Sequence, residues 1–382
     1  MAVWQEKRLG DIFSLKYGKS SDKIILGSEY KVFSSSGLFG LSNSKLADKG
    51  IIVGRKGSVG SVFFSRNPFY CIDTTFYIDN TNNENMLFIY YYLKNMKLNL
   101  YNSDAAVPGL NKHHLERCYC IIPDLATQEK IADMLSAYDD LIENNNRRIE
   151  ILEQMAQEIY KEWFIRFRFP GHEKVKFVNG LPKGWEVVKL GDFVNIKGGK
   201  RLPTGKDFCI EQTEHPYIRI RDISKYKFIP LTENMMYIDN TTYNILNRFT
   251  VKKGDLLISI VGTIGLVACV GSTLNGANLT ENCVNITEVC HFTKSYLYHY
   301  LKSSQGQGEL YSGIVGVSQP KLPIYNIKKF KLLKPSQELI INFTNLVADI
   351  DSKMNNLLEQ NQNLIKQRDL LLPRLMSGKL EV

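Results

Sequence analysis

The stretch IADMLSAYDDLIENNNRRIEILEQMAQEIYKEW, residues 131–163, decides the fold of this protein. Its apolar residues recur in alternating steps of three and four, the spacing of the seam at which one helix of a coiled coil packs against another. The seam positions are Leu135, Tyr138, Ile142, Asn145, Ile149, Leu152, Ala156, Ile159 and Trp163. The pattern predicts a long helix that begins after an N-cap at Thr127 and ends at Pro170-Gly171.

A second stretch near the end of the chain has the same rhythm. Its seam positions are Phe343, Val347, Ile350, Met354, Leu357, Asn361, Leu364, Arg368 and Leu371. Ser336 is the predicted N-cap of this helix, and Pro373 with Gly378 is predicted to end it. At 1.5 Å per residue, two helices of roughly 35–40 residues would each be about 55 Å long.

The two seams predict how the helices pair. An antiparallel arrangement with Asn145 opposite Asn361 also places Trp163 opposite Phe343. A buried pair of asparagines fixes the register at some cost in stability, because any shift leaves an amide facing an aliphatic side chain. The alternative is that both amides face solvent or a bound subunit.

Each helix is preceded by a copy of the same sequence pattern, which begins with WQEKRLGDIF at 4–13 and with WEVVKLGDF at 185–193. Five landmarks recur in the same order, and such order indicates an internal repeat. Written as first copy/second copy, they are Trp4/Trp185 with the Leu-Gly-Asp that follows each, Gly57-Ser58-Val59-Gly60/Gly262-Thr263-Ile264-Gly265, YYLKN at 91–95/HYLKS at 299–303, Gly109/Gly316 together with Leu115/Leu322, and Gln128-Glu129/Gln337-Glu338. The separation grows from 181 to 205 residues before the glycine turns, so the second copy carries 24 extra residues there.

The segments before the helices alternate β-branched and aromatic runs with turns rich in Gly, Ser and Asn. The predicted fold class is therefore α+β, with two globular α/β domains related by the internal repeat and separated by two long helices that form an antiparallel coiled coil. The predicted boundaries are 1–126 for the first domain, 127–169 for the first helix, 170–184 for a linker, 185–335 for the second domain, 336–376 for the second helix and 377–382 for a tail.

Composition narrows the possible functions. The chain has 382 residues, of which 44% are hydrophobic and 23% charged, and no apolar run approaches the roughly 18–20 residues that span a bilayer. With no secretory signal at its start, it is expected in the cytoplasm without a membrane partner. Its seven cysteines form no CxxC pair, which indicates reduced thiols. A net charge of +9 suits a nucleic-acid partner.

Motifs for catalysis and metal binding fail on inspection. YGKS at 17–20 ends like a P-loop, but Phe13 stands where the first glycine is needed. NPFY at 67–70 lacks the second proline of the element with which adenine methyltransferases hold a base, and no glycine-rich turn for S-adenosylmethionine accompanies it. His113-His114 has no acidic or cysteine partner at a metal-binding spacing. No catalytic residue and no metal site is predicted.

Basic and polar loops recur at matching points of both copies, and their side chains are of the types that read base edges and hold phosphates. The alternative is that they are ordinary solvated surface residues. The candidates are Lys19, Ser34, Ser35, Ser36, Arg55, Lys56, Ser58, Lys112, His113 and His114 in the first copy, and Lys200, Arg201, Arg219, Arg221, Thr263, Ser318, Gln319 and Lys321 in the second.

Over nearly all of its length the chain resembles the specificity (S) subunits of type I restriction-modification systems, the HsdS family. The resemblance is carried by the two heads, by YKVFSSSGLFG and GRKGSVG, by PDLATQEKIADMLSAYDDL and by LLPRLMSGKL. It implies that each globular domain is a target recognition domain that reads one half of a split, asymmetric site in double-stranded DNA. It also implies that the helices space the two domains and dock two modification (methyltransferase) subunits.

The same resemblance implies a subunit without catalysis or a cofactor of its own, since S-adenosylmethionine is expected on the modification subunit. Restriction subunits, whose presence the sequence leaves open, would add the nuclease. Two alternatives remain at this point. One is a self-contained adenine methyltransferase with fused recognition domains, and the other is a coiled-coil scaffold without DNA specificity.

Overall fold

A computed structural model describes residues 3–20, 26–101, 109–223, 226–232 and 234–382. The chain divides into two compact units. Unit 1 comprises Met1–Ile142 and Asn363–Val382, and unit 2 comprises Glu143–Gln362. Each unit therefore combines a globular segment with parts of both long helices.

Unit 1 is built on two small sheets. Its elements are β1 (Gln5–Arg8), α1 (Leu9–Ile12), β2 (Lys16–Tyr17), β3 (Leu26–Ser34), β4 (Gly37–Ser42), β5 (Gly50–Gly54), β6 (Val62–Ser65), β7 (Phe69–Cys71), β8 (Thr75–Ile78), α2 (Met86–Asn95), α3 (Lys112–Arg117) and β9 (Tyr119–Ile122). The strand orders are β2-β8-β5-β6 and β4-β3-β7, and β1 pairs antiparallel with β9. The apolar strand β5 is buried along its whole length, and α2 contributes Phe88, Tyr91 and Leu93 to the same core.

Helix α4 (Leu125–Tyr160) runs from unit 1 into unit 2. The elements that follow are β10 (Phe177–Val178), β11 (Leu181–Pro182), β12 (Glu186–Lys189), β13 (Val194–Gly198), β14 (Pro216–Ile218), β15 (Phe228–Ile229), β16 (Met236–Tyr237), α5 (Asn240–Leu246), β17 (Leu256–Ser259), β18 (Val267–Val270), β19 (Asn278–Leu279), β20 (Cys283–Val289), α6 (Lys294–Lys302), α7 (Ser304–Ser312), α8 (Ile324–Ile327), β21 (Lys331–Lys334) and α9 (Gln337–Met376). Unit 2 has a five-stranded sheet, β13-β20-β17-β18-β15, and a three-stranded sheet, β16-β14-β19. The strand β12 pairs with β21, as β1 pairs with β9 in unit 1.

The repeated Leu-Gly-Asp heads have the same structural role in both units. The N–H of Leu9 donates to the carbonyl of Cys118 at 2.9 Å, and the N–H of Leu190 donates to that of Phe330 at 2.8 Å. A side chain on Gly10 would approach the Glu116 carbonyl to 2.9 Å, so only glycine lets the backbones come this close. The heads are repeated because each closes its domain onto the strand that leads into a long helix.

Two of the predicted landmark matches are wrong. The N–H of Leu110 donates to the carbonyl of Arg55, the first residue after β5. The N–H of Leu322 donates to the carbonyl of Ile260, the first residue after β17, so the two leucines are equivalent. The predicted pairs Gly109/Gly316 and Leu115/Leu322 are therefore displaced. The pair Gln128/Gln337 is displaced too, because Gln128 and Ile340 occupy the equivalent first-turn positions of α4 and α9. The equivalent positions of the two copies are defined by their backbone hydrogen bonds and not by identical residues in the sequence. The extra residues of the second copy fall in the stretch that contains α5.

The ends of the long helices differ in part from the prediction. Asp124, not Thr127, caps α4, because its Oδ1 accepts the N–H of Thr127 at 3.1 Å. Helix α4 passes after Tyr160 into a π-helical turn, Lys161–Ile165, and does not reach Pro170. The Ser336 cap of α9 is confirmed, since its Oγ accepts the N–H of Leu339 at 3.3 Å.

Pro373 does not end α9. It lies in the last turn, where the missing proline N–H removes only one helical hydrogen bond, and the helix continues to Met376. Gly378 follows the helix with a φ of +70°, a conformation that glycine adopts readily after a helix.

Within each unit the segments of α4 and α9 run antiparallel. In unit 2, Asn145 Nδ2 donates to Asn361 Oδ1 at 2.9 Å, and the rings of Trp163 and Phe343 lie 6.0 Å apart between centroids. In unit 1, Arg368 Nη1 donates to an Asp139 carboxylate oxygen at 2.5 Å. The role of the two asparagines in fixing the register stays a prediction. Over the described residues, no helix is both long and apolar enough to cross a membrane.

Candidate nucleic-acid interface

The same tight turn follows β5 and β17. The N–H of Gly60 donates to the carbonyl of Gly54 at 2.9 Å, and the N–H of Gly265 donates to that of Ser259 at 3.1 Å. The first and last glycines of each turn have φ between +71° and +87°, where other residues would be strained. The turns therefore need glycine at these places, and they expose Ser58 and Thr263 at equivalent positions.

In unit 1 this turn is part of a cluster of loops. The N–H groups of Arg55 and Lys56 donate to the carbonyl of Thr74 at 2.8 and 3.1 Å, and the N–H of Ser35 donates to the Thr74 hydroxyl at 3.3 Å. Lys19 is joined to the same region by a backbone hydrogen bond of 3.1 Å. The cluster thus gathers loops that are distant in sequence at the end of β5.

The three predicted serines of unit 1 are not equivalent. Ser34 and Ser35 are each only 7% exposed. The hydroxyl of Ser34 donates to the carbonyl of Gly37 at 3.2 Å, and the carbonyl of Ser35 accepts the hydroxyl of Ser61 at 2.5 Å. These two serines close the turn between β3 and β4, so of the three only Ser36 is exposed to a ligand.

The basic side chains of unit 1 also differ. The Arg55 guanidinium lies 5.1 Å from the centre of the Tyr17 ring and donates to the Asp73 carbonyl at 3.3 Å, so it is partly occupied. Lys112 lies 3.7 Å from Glu116, at the start of α3. The neighbouring His113 and His114 are exposed there. Lys19 and Lys56 are exposed, and neither forms an ion pair with any residue that the structure describes.

In unit 2 four of the predicted residues line one cleft of about 620 Å³, namely Arg201, Arg219, Arg221 and Thr263. They come from the loops that follow β13, β14 and β17. Phe208, Tyr217, Thr280, Glu281 and Asn282 also line the cleft. Tyr217 donates its hydroxyl to the carbonyl of Lys200 at 2.6 Å, and burial raises the pKa of Tyr217 to about 12, so the phenol stays neutral.

The three arginines of the cleft are engaged to different degrees. Arg219 donates through Nε and Nη2 to both oxygens of Asp222 at 2.9 Å, and through Nη2 to the carbonyl of Asn234 at 2.7 Å. Arg201 is 77% exposed, and among the described residues its guanidinium has one ionic partner, Glu281, which accepts from Nε at 3.0 Å. Arg221 is exposed, and within the described part of the chain it has no hydrogen-bonded or ionic partner. Arg221 is therefore free to bind a ligand, and Arg201 remains accessible beside its ion pair with Glu281, whereas Arg219 mainly holds its own loop together.

The remaining predicted residues of unit 2 are exposed beside this cleft. Ser318, Gln319 and Lys321 belong to a loop closed by two backbone hydrogen bonds of 2.9 Å between Val315 and Lys321. Lys321 also forms a β-bridge with Val261, which places this loop next to the turn that contains Thr263. Lys200 is exposed and directly precedes Arg201.

Sequence reasoning missed the acidic and amide side chains of the site. Asp222 follows Arg219 at a spacing of three residues, and that spacing could have revealed the pair. Glu281 and Asn282 gave no such signal, because the contact between Arg201 and Glu281 joins loops 80 residues apart. Only the pairing of the strands brings them together.

Four of the seven cysteines, namely Cys71, Cys120, Cys269 and Cys283, are buried packing residues. Burial raises the pKa of Cys71 and Cys120 to about 11 and that of Cys269 and Cys283 to about 12, so these thiols stay protonated and unreactive at neutral pH. Among the described residues, no three His, Cys, Asp or Glu side chains are grouped so that they could hold a metal ion.

Residues 1–154 and 182–363 match the model of the type I restriction modification DNA specificity domain, which therefore covers both globular segments and most of both helices. The chain belongs to this family.

Two curated proteins that are similar to this chain are named as type I restriction enzyme specificity subunits. The MjaIX specificity subunit of Methanocaldococcus jannaschii is 29% identical over 308 residues, which cover 77% of this chain and 69% of the relative. The HindI specificity subunit of Haemophilus influenzae is 26% identical over 323 residues, 68% of each chain. Neither alternative function, the self-contained methyltransferase or the scaffold, is supported by these relatives.

A solved structure shares the fold. The S subunit of a type I restriction-modification system from M. genitalium aligns with 98% of this chain and 96% of its own, with a TM-score of 0.55 and 19% identity. The predicted α+β fold class, with two globular α/β domains and two long helices, is confirmed.

Proposed function

We propose that this specificity subunit reads a bipartite, asymmetric site in double-stranded DNA, with the loop cluster of unit 1 on one half-site and the cleft of unit 2 on the other. The observation that carries the proposal is the cleft, since Arg201, Arg219, Arg221 and Thr263 come from separate loops and line one concave surface. Arginine binds guanine edges and phosphates through several N–H groups at once.

The two readers differ, which supports an asymmetric site. Unit 1 presents exposed Lys19 and Lys56 on its loop cluster, whereas unit 2 presents Arg201 and Arg221 around an aromatic-lined cleft. Lysine offers a compact charge and arginine a planar fork of donors, so similar backbones would read different bases. The internal repeat gives the two domains equivalent loops, and the divergence of these loops lets the domains recognise two different half-site sequences.

The chemistry would belong to partner subunits. Two modification subunits would dock on the long helices and bind S-adenosylmethionine, and restriction subunits, where present, would add the nuclease. Exposed apolar side chains on these helices support docking, among them Leu141 and Met155 on α4 and Leu346 and Leu370 on α9. Adenine methylation is expected only after a modification subunit is added, and methyl transfer by the purified chain alone would contradict this assignment.

Selection of binding sites from random duplex DNA with the assembled complex tests the reading function. The unmodified complex should enrich two specific half-site sequences, here called the first and second words, separated by a spacer of fixed length and no preferred sequence. K56A should change selection only in the first word and R221A only in the second, with base contacts contributing about 1–3 kcal/mol each. R166A removes an equal charge directly after the π-helical turn and serves as the control, because Arg166 pairs with Glu162 outside both loop sets.

The outcomes separate the possibilities. Enrichment of no bipartite word would overturn the proposal. An equal loss of affinity for all sequences in R221A would show that Arg221 contacts phosphates and not bases, and so would refute its role in reading the second word.

A further inference from the structure

A buried lysine lies just beyond the cleft arginines in the sequence. Lys227 is 2% exposed, and it immediately precedes β15, an edge strand of the five-stranded sheet. Its Nζ donates to both carboxylate oxygens of Asp351, at 2.8 and 2.7 Å, and to the Ser295 hydroxyl at 3.1 Å. The ammonium group is thereby fully engaged inside unit 2.

These contacts join the recognition sheet to both long helices. Asp351 belongs to α9, and the backbone N–H of Lys227 donates to Glu153 of α4 at 3.2 Å. Glu153 also accepts the hydroxyl of Tyr298 from α6. On the sheet side, the carbonyl of Lys227 accepts the N–H of Cys269 at 2.6 Å. One residue thus connects the sheet edge, α4 and α9.

The sheet domain is attached to the helices at a second place. The rings of Tyr160 at the end of α4, Phe164 in the π-helical turn that follows it, and Phe343 on α9 pack on Tyr296 of α6 or on one another, with centroids 4.9–5.9 Å apart. Along α9, Asp351 lies about 12 Å from Phe343 at 1.5 Å per residue. Attachment at one place would let the domain rock on the helix pair, whereas attachment at two separated places fixes its orientation.

Energetics favour a role in geometry over a role in stability. Burying an ammonium and a carboxylate costs several kcal/mol of solvation per ion, which their attraction largely offsets, so apolar replacements of similar volume are often neutral or stabilising. What an apolar pair cannot supply is direction. The Lys227 contacts to Asp351 and Ser295 are satisfied only in one arrangement of the sheet edge against α6 and α9.

We propose that Lys227 is a positioning residue that couples the arginine cleft to the helix pair, so that the cleft reads its half-site at one fixed distance and angle from the helices. The inference rests on the proposed reading function and adds a specific consequence. The buried contact makes the complex selective for the length of the spacer between half-sites, whereas the bases read depend on the cleft itself.

The test is site selection with the assembled complex that contains K227M. We expect the two words to stay unchanged and the spacer to broaden to lengths one base pair shorter and longer. The preference for the original spacer over these neighbours should fall at least about tenfold in binding competition, a change of about 1.4 kcal/mol. The double variant K227M/D351L removes both charges and should behave in the same way, and it decides the question if K227M alone does not fold.

K294M is the matched control. Lys294 Nζ pairs with Asp255 at 2.6 Å, but this pair joins α6 to the start of β17 and does not involve α4 or α9. K294M should therefore keep the sharp spacer. A folded K227M or double variant that keeps the original spacer preference, or an equal broadening in K294M, would overturn the role of Lys227. Failure of the unmodified complex to select any bipartite word would instead refute the reading function.

Discussion

The Asn145–Asn361 contact yields a stability prediction whose size follows from its burial. Each side chain is 6% exposed, and one hydrogen bond of 2.9 Å joins them. N145L removes the donor and leaves the Asn361 oxygen buried without it, so we expect a loss of about 1–3 kcal/mol in the free energy of unfolding. N361L should cost a similar amount, because it strands the Asn145 amide and also removes the donor to Asn146 Oδ1.

The double variant N145L/N361L should recover most of this loss. It removes both amides together and adds two leucines to an apolar seam, so its stability should lie within about 1 kcal/mol of the unmodified chain or above it. Urea unfolding followed by circular dichroism gives all four corners of the double-mutant cycle, with an expected coupling of about 2 kcal/mol. N144L, at an exposed neighbouring position, should change stability by less than about 0.5 kcal/mol. A double variant that loses as much stability as the two single variants together would show that the two amides do not stabilise the helix pair through their mutual hydrogen bond.

Other outcomes test the helices and the cleft. One heptad inserted after Arg148 and another at the facing point of α9 should lengthen the helix pair by about 10 Å and the selected DNA spacer by about three base pairs, whereas an unchanged spacer would show that the helices do not set it. Burial, with Lys227 close by, holds the pKa of His299 well below its usual range. As the pH falls below about 6.5, the unfolded chain therefore binds a proton that the folded chain does not, and stability should decline by up to about 1.4 kcal/mol per pH unit. In thermal melts at several pH values, H299N should flatten this decline and the exposed-site control H113N should not. R219A should lower the melting temperature more than R221A, because Arg219 holds its own loop, and equal melting temperatures would contradict that role.

The long helices could be predicted because their signals are local. A period of three and four residues over many turns leaves little choice of structure, and the same period placed Asn145 and Asn361 on the seams. The exact ends were harder to predict. Asp124 and Thr127 are both good N-cap residues within four positions, and their order along the chain does not show at which one the helix begins.

The candidate site could be located from sequence only as a set of loops. Ser34 and Ser35 have the composition of exposed loop residues, yet the turn between β3 and β4 buries them. The sequence spacing could have indicated that Arg219 pairs with Asp222, but only the folded loop shows that Arg219 also donates to the Asn234 carbonyl. The hydrogen-bonding partners that a loop residue finds depend on how the fold brings distant segments together, and the amino-acid composition of the loop does not show this.

Unit 1 is formed by two segments that lie far apart in the chain, and this affects how the protein folds during synthesis. Leu372, Leu375 and Met376 are buried in its core, and Gly378 lies against the ring of Trp4, although these residues are far apart in sequence. Unit 2 is continuous from 143 to 362 and can fold as soon as it leaves the ribosome. Unit 1 is completed only when residues 363–382 are made, so the part of its core that Leu372, Leu375 and Met376 cover stays open while the 220 residues from 143 to 362 are made. At about 5–20 residues per second this interval is on the order of ten to forty seconds, and the usual order, in which the N-terminal domain folds first, is reversed.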